Sequence, residues 1–254
     1  MKRMARLALV ACALVFMSLL TPLAHASVIV HGTRVVYPVE QQELIVRLEN
    51  KGDRPALVQV WLDAGDRQST PATARTPFTL SPPIFRIEPN QQQAVRLRYT
   101  GEPVPTDRES LYWLNVLEVP PSTQDAAQKN QIQLSFRTRL RVFLRPQALP
   151  LPAERAPAQV QWKLVPHGQG YALQATNPTP YHVSLASIDL ASDGRRYSKA
   201  ANQTATDSLL MPHGDTKVFA LPGLKTQPKG SAQVEFTAVS DFGARVRYSA
   251  SPTF

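Results

Sequence analysis

Cysteine is all but absent from this 254-residue chain. The single one, Cys12, lies inside an apolar N-terminal run, so the rest of the chain has no disulfide and no thiolate for a metal or a nucleophile. Stability has to come from a buried core. Histidine is scarce too: apart from His25 at the end of the N-terminal segment, His31, His167, His182 and His213 stand singly, in no metal-ligand spacing, and read as turn or surface residues. Helical periodicity is nearly missing after the N-terminal run, and no apolar stretch reaches the roughly 18 to 20 residues of a spanning helix. Acid is short as well, with 28 Lys and Arg against 19 Asp and Glu and a net charge of +9. No basic cluster is interleaved with exposed aromatics, which disfavours nucleic acid as a partner and leaves anionic groups on a protein, membrane surface or glycan. The nearest approaches to a hydrolytic carboxylate pair, Asp63 with Asp66 and Asp107 with Glu109, read as loop residues. The sequon at Asn202 is a motif frequent by chance. The sequence therefore predicts no enzyme, no metal and no cofactor.

The first segment that is informative by its presence is "MKRMAR", followed by "LALVACALVFMSLL" and "AHA". Charged, apolar and small residues in that order predict a secretory signal peptide over residues 1–26, cleaved after Ala26; a membrane anchor is the rival reading, disfavoured by length. The exported chain is expected to be soluble rather than membrane-embedded. Removing Lys2, Arg3 and Arg6 leaves 25 basic against 19 acidic residues, or +6. The roughly 228 residues that remain suit two modest domains.

Short β-rich segments recur through those residues, with Pro, Gly, Asn and Asp between them. "SVIVHGTRVVY", "QELIVRLEN", "ALVQVWLDAG", "FRIEP", "QAVRLRYT", "LYWLNVLEV" and "IQLSFRTRLRVFL" read as seven strands, an immunoglobulin-like count. "RPQALPLPAERAPAQ" then interrupts with four prolines, a stiff linker that no strand ladder can cross. Beyond it the same short-strand grammar resumes in six further segments. The expectation is an all-β protein of two β-sandwich domains, residues 27–148 and 149–254.

One strand stands apart. In "SFRTRLRVFLRP", Arg137, Arg139 and Arg141 share one parity while Phe136, Leu140 and Val142 share the other, so an extended chain has one cationic and one apolar face. From Ile132 to Leu144 the alternation outruns the usual five or six residues, which predicts a strand projecting past its own domain and open to strand addition.

"VPTDRESLYWLNVLEVPP", residues 104–121, resembles the signature of the periplasmic pilus chaperones, met here by Asp107, Arg108, Glu109, Ser110, Leu111, Trp113, Asn115, Pro120 and Pro121. The resemblance continues through "GTRVVYP", "SPPIFRIEPNQQQAVRLRY", "FRTRLRVFLRP", "NPTPYHVSLASIDL" and "SDFGAR", covering essentially the whole exported chain in order. It implies two immunoglobulin-like domains in a boomerang arrangement, a periplasmic location and no catalysis. It also implies partners: pilus subunits, which receive a donated strand, and an outer-membrane usher.

Carried over residue by residue, the resemblance makes Arg34 and Arg141 the anchor for a subunit's C-terminal carboxylate, with Arg139 the alternative to Arg141. The family's second cation is usually Lys; Arg keeps the charge and adds a planar fork. Ile132, Leu134 and Phe136 correspond to the apolar donor residues. Glu109, Arg145 and Asp241 match an ion-pair cluster between the domains, and Ser81–Pro82 a position with a cis peptide. The loop "PPSTQDAAQKNQ" resembles the short-loop branch of the family. In the free protein, a homodimer that caps the donor strand is one arrangement family members adopt. Two other functions compete: a secreted carbohydrate-binding β-sandwich, which would need exposed aromatics beside a carboxylate pair, and a paralogue that keeps the fold without binding subunits.

Overall fold

A computed structural model describes residues 28–119, 134–200 and 209–254. The signal-like segment, Pro120, Pro121, Ile132 and Asn202 lie outside the described residues. Among those residues, strands dominate and the only helical pieces are single 3-10 turns.

The first sandwich contains β1 (Val28–Val30), β2 (Arg34–Pro38), β3 (Leu44–Asn50), β4 (Ala56–Asp63), β5 (Phe78–Ser81), β6 (Ile84–Ile87), β7 (Gln92–Tyr99), β8 (Ser110–Val119) and β9 (Phe136–Arg145). One sheet runs β1-β3-β7-β5 and the other β2-β9-β8-β4-β6. Alternate residues of both sheets fill the space between them: Leu48 and Leu97 from one, Tyr37, Val58, Leu114 and Leu144 from the other, all fully buried. The Tyr37 hydroxyl donates to the Gln41 carbonyl at 2.7 Å and accepts from the Tyr99 amide at 3.1 Å, tying the two sheets together.

"SVIVHGTRVVY" is not one strand. It breaks at His31–Thr33, where Gly32 takes a φ of +106° that L side chains resist. β1 pairs antiparallel with β3, while β2 crosses to the other sheet and pairs parallel with β9. The short strand β5 is also additional to the expected seven; the Ser81–Pro82 peptide between it and β6 is cis.

The second sandwich contains β10 (Gln161–His167), β11 (Gly170–Thr176), β12 (Val183–Ser192), β13 (Arg195–Ser198), β14 (Leu210–Met211), β15 (Thr216–Ala220), β16 (Ala232–Val239) and β17 (Arg245–Ala250). Its sheets run β10-β11-β15 and β13-β12-β16-β17, with β14 on β12. Trp162, Leu173, Leu190, Phe219 and Phe236 form its core. Between the sandwiches the proline-rich stretch carries 3-10 turns at Ala153–Arg155 and Pro157–Gln159, and Ala156 packs into the second core.

Candidate functional site

The functional candidates gather on the outward face of the five-stranded sheet. Even-numbered residues of β9, Leu140, Val142 and Leu144, enter the core, so odd-numbered Arg137, Arg139, Arg141, Phe143 and Arg145 line the other face. β8 and β4 contribute Trp113, Asn115, Trp61 and Asp63 to that face, since Asn115 pairs with Arg139 and Trp113 with Asp63 and Arg141.

Arg137 and Arg139 share the Asp63 carboxylate within this surface, at 3.7 and 2.7 Å. Arg139 donates both ways to Asp63, at 2.7 and 2.9 Å, and stacks over Trp113 with its guanidinium 4.7 Å from the ring centroid. Arg137 donates to the Asn115 side-chain oxygen at 2.9 and 2.7 Å and lies 4.7 Å over Trp61. Asn115 in turn donates to Asp63 at 2.7 Å, and Ser69 donates to the same carboxylate at 3.1 Å. Asp63, only 1% exposed, is thus the charge sink of the face and no loop residue. Burial alone would push its pKa up, but the hydrogen bonds from Asn115 and Arg139 outweigh that and hold it below the ordinary value.

Arg141 is placed differently. It lies in parallel register with Arg34 across β2 and β9, with its guanidinium 5.3 Å from Trp113. Arg34 sits over the Phe143 ring at 5.7 Å and donates one Nη to the Val239 carbonyl of the second sandwich at 3.1 Å, while its Nε is buried without a hydrogen-bond partner. Burial, and then the charge of Arg141, lower the pKa of Arg34; Asp241 and Glu109 partly offset this. Two like charges side by side in a half-buried cleft favour an anion between them.

At the domain junction Arg145 donates to Glu109 at 2.6 Å and, through both Nη atoms, to Asp241 at 2.6 and 3.0 Å. Burial would lower the pKa of Arg145, yet the hydrogen bond to Asp241 and the charges of Glu109 and Asp241 raise it. The other oxygen of Glu109 accepts the His182 amide at 2.8 Å and lies 3.3 Å from the His182 ring. The side chain of His182 is buried against Phe143, contrary to the expected surface position, because it fills the seam between domains. His31 instead meets Glu49 at 3.0 Å.

The remaining candidates lie at and just before the start of β9: Phe136 opens the strand, later than the expected start, and Leu134 lies two residues ahead of it. Leu134 is 63% exposed and Phe136 57%, on the same parity as the core residues Leu140 to Leu144 but beyond the last of them.

Residues 27–150 match the family described as pili and flagellar-assembly chaperone, PapD N-terminal domain, and residues 155–250 match pili assembly chaperone PapD, C-terminal domain. The chain belongs to the pilus-assembly chaperones. The chaperone is 40% identical over 228 residues, 89% of either chain, to the probable fimbrial chaperone YadV of Escherichia coli K12. It is 35% identical to the chaperone protein FimB/FhaD of Bordetella pertussis, over 97% of this chain and 96% of that one. The crystal structure of YadV superposes with a TM-score of 0.73, covering 89% of the chaperone and 99% of YadV at 38% identity. The SafB chaperone, solved with the SafA pilin of Salmonella enterica, gives a TM-score of 0.70 at 27% identity, over 91% of this chain and 98% of that one. These matches bear out the resemblance read in residues 104–121 and the two-sandwich fold, and they displace the carbohydrate-binding alternative. Sequence reasoning missed Asp63 and His182; the signal available for Asp63 was three arginines on one face of a strand, which need a counter-charge.

Proposed function

We propose that the chaperone works in the periplasm, after removal of residues 1–26, as a non-enzymatic holder of pilus subunits that passes them to an outer-membrane usher. Its domains are 27–148 and 149–254. One observation carries the proposal: a single strand, β9, bears both an exposed apolar tip and the cleft cation Arg141, on opposite parities. An incomplete subunit sandwich pairs with β9 by main-chain hydrogen bonds and takes Leu134, Phe136 and, by extension of parity, Ile132 into its open groove. Each donor contributes about 1.5 to 3 kcal/mol before ordering costs. The subunit's C-terminal carboxylate rests between Arg34 and Arg141. Support for Arg141 over Arg139 is its register directly beside Arg34 across β2 and β9. The cluster of Glu109, Arg145 and Asp241 sets the angle between domains rather than touching the client.

The test is periplasmic co-expression with a pilus subunit from the same genome, followed by purification of tagged chaperone. Wild type brings down stoichiometric subunit, whereas Arg141→Ala and Leu134→Glu bring down none. Wild type that captures nothing from an exported subunit pool supports the non-binding paralogue, and capture that survives both changes refutes the cleft assignment.

A further inference from the structure

A cavity of about 400 Å³ lies between the domains, with Arg34 on its wall. That volume falls within the roughly 300 to 1,000 Å³ of ligand pockets. Its lining is largely apolar, from Phe143, Tyr181, Val239, Phe242, Val246 and Tyr248. Of the acids lining it, Glu109 and Asp241 are paired with Arg145, and Glu154 is exposed on the rim. What the cavity offers a ligand is therefore an apolar enclosure beside one cation.

The lining includes an unusual apolar group. Phe242 is 98% exposed and Val246 40%. A bare phenyl at a turn tip is ordinarily tolerated as a frayed loop residue, but this turn is pinned. Asp241 is held by both Nη atoms of Arg145, and the Gly243 amide donates to the Ser240 carbonyl at 2.9 Å. Gly243 packs so closely on the first sandwich that a Cβ there would lie 2.6 Å from the Thr33 hydroxyl. A phenyl presented from a fixed backbone loses little entropy when it is covered.

We propose that this cavity receives the last side chain of the captured subunit and selects an apolar one. The proposal rests on Arg34 and Arg141 holding the terminal carboxylate. A carboxylate fixed there leaves the terminal Cα only two bonds away, so its side chain must turn either toward Arg141 or into the cavity. The Arg141 side is taken up by Trp113, whose ring centroid lies 4.7 Å from the Arg139 guanidinium and 5.3 Å from that of Arg141. The cavity is the side with room, and Phe242 and Val246 close over what enters it.

Calorimetry with four synthetic peptides tests this: an alternating Thr-Val segment of about ten residues, with two N-terminal lysines for solubility, ending in Phe or in Gly, each as free acid or amide. Wild type is expected to bind the Phe-ended acid about tenfold tighter than the Gly-ended acid. In Phe242→Ser/Val246→Ser that preference falls below about threefold, with an unchanged circular dichroism spectrum since both residues are exposed. If the two acids bind wild type alike while amidation abolishes binding, the pocket is refuted and the carboxylate anchor stands. If amides bind as well as acids, the anchor itself fails and the pocket with it. A preference that survives in the double variant also overturns the proposal.

Discussion

Asp63→Ala is expected to be among the most damaging single changes in the first domain, although Asp63 touches no client. Its carboxylate accepts from Arg139 at 2.7 and 2.9 Å, Asn115 at 2.7 Å, the Gly65 amide at 2.7 Å and Ser69 at 3.1 Å. Removing it strands the Arg139 guanidinium on a largely buried face, and breaking a pair of that kind costs about 3 to 5 kcal/mol. For a domain of this size that lowers the melting temperature by roughly 10 to 20 °C. Thermal and urea unfolding followed by circular dichroism would measure it. Replacing both partners, Asp63→Leu with Arg139→Met, should recover at least about 1 kcal/mol, because no charge is then left alone. The pH dependence has a definite sign. A carboxyl held below its ordinary value of about 3.9 contributes stability that is present above that pH and is lost as pH falls through the lower folded value. Stability of the wild type should therefore fall more steeply on acidification below about pH 4 than that of Asp63→Asn. A loss below about 1 kcal/mol in Asp63→Ala would refute the assignment of Asp63 as the charge sink of this sheet face.

Arg145→Met leaves the buried Glu109 without its cation and should cost about 3 kcal/mol, with faster limited proteolysis within residues 146–160; unchanged proteolysis would show that the ion cluster does not hold the junction. Gly243→Ala combines a φ of +82° with a clash against Thr33, and a loss of about 1 to 2 kcal/mol by thermal melting is expected, against none if the turn relaxes freely. Tyr37→Phe leaves the Tyr99 amide and the Gln41 carbonyl without their bridge and should cost about 1 to 3 kcal/mol in urea unfolding.

The strands with strong alternation, such as β3, β7 and β9, were legible because each buries one parity against a single core. The break at Gly32 was not. Val28 on one side and Val35 and Tyr37 on the other all enter the same core, so the apolar pattern runs on although the chain changes sheets. What decides the change is pairing with β3 and β9, far along the sequence. Strands β13 and β14 are too short, and β13 too polar, to show a period. Asp63 precedes Ala-Gly-Asp and so has the look of a turn residue; its burial depends on Asn115 and Arg139, which only the folded sheet brings beside it. His182 follows the same logic, since the seam that encloses it does not exist within either domain's own sequence.

The parallel register of Arg34 and Arg141 has a bearing on timing. The two cations belong to the earliest and latest strands of their sheet, the one near the start of the first sandwich, the other just before the link to the second. A partly folded chain carries both charges but not their spacing. With that pair as the anchor, affinity for a client arises only in a finished first domain, so an immature chaperone cannot seize a subunit it is unable to protect.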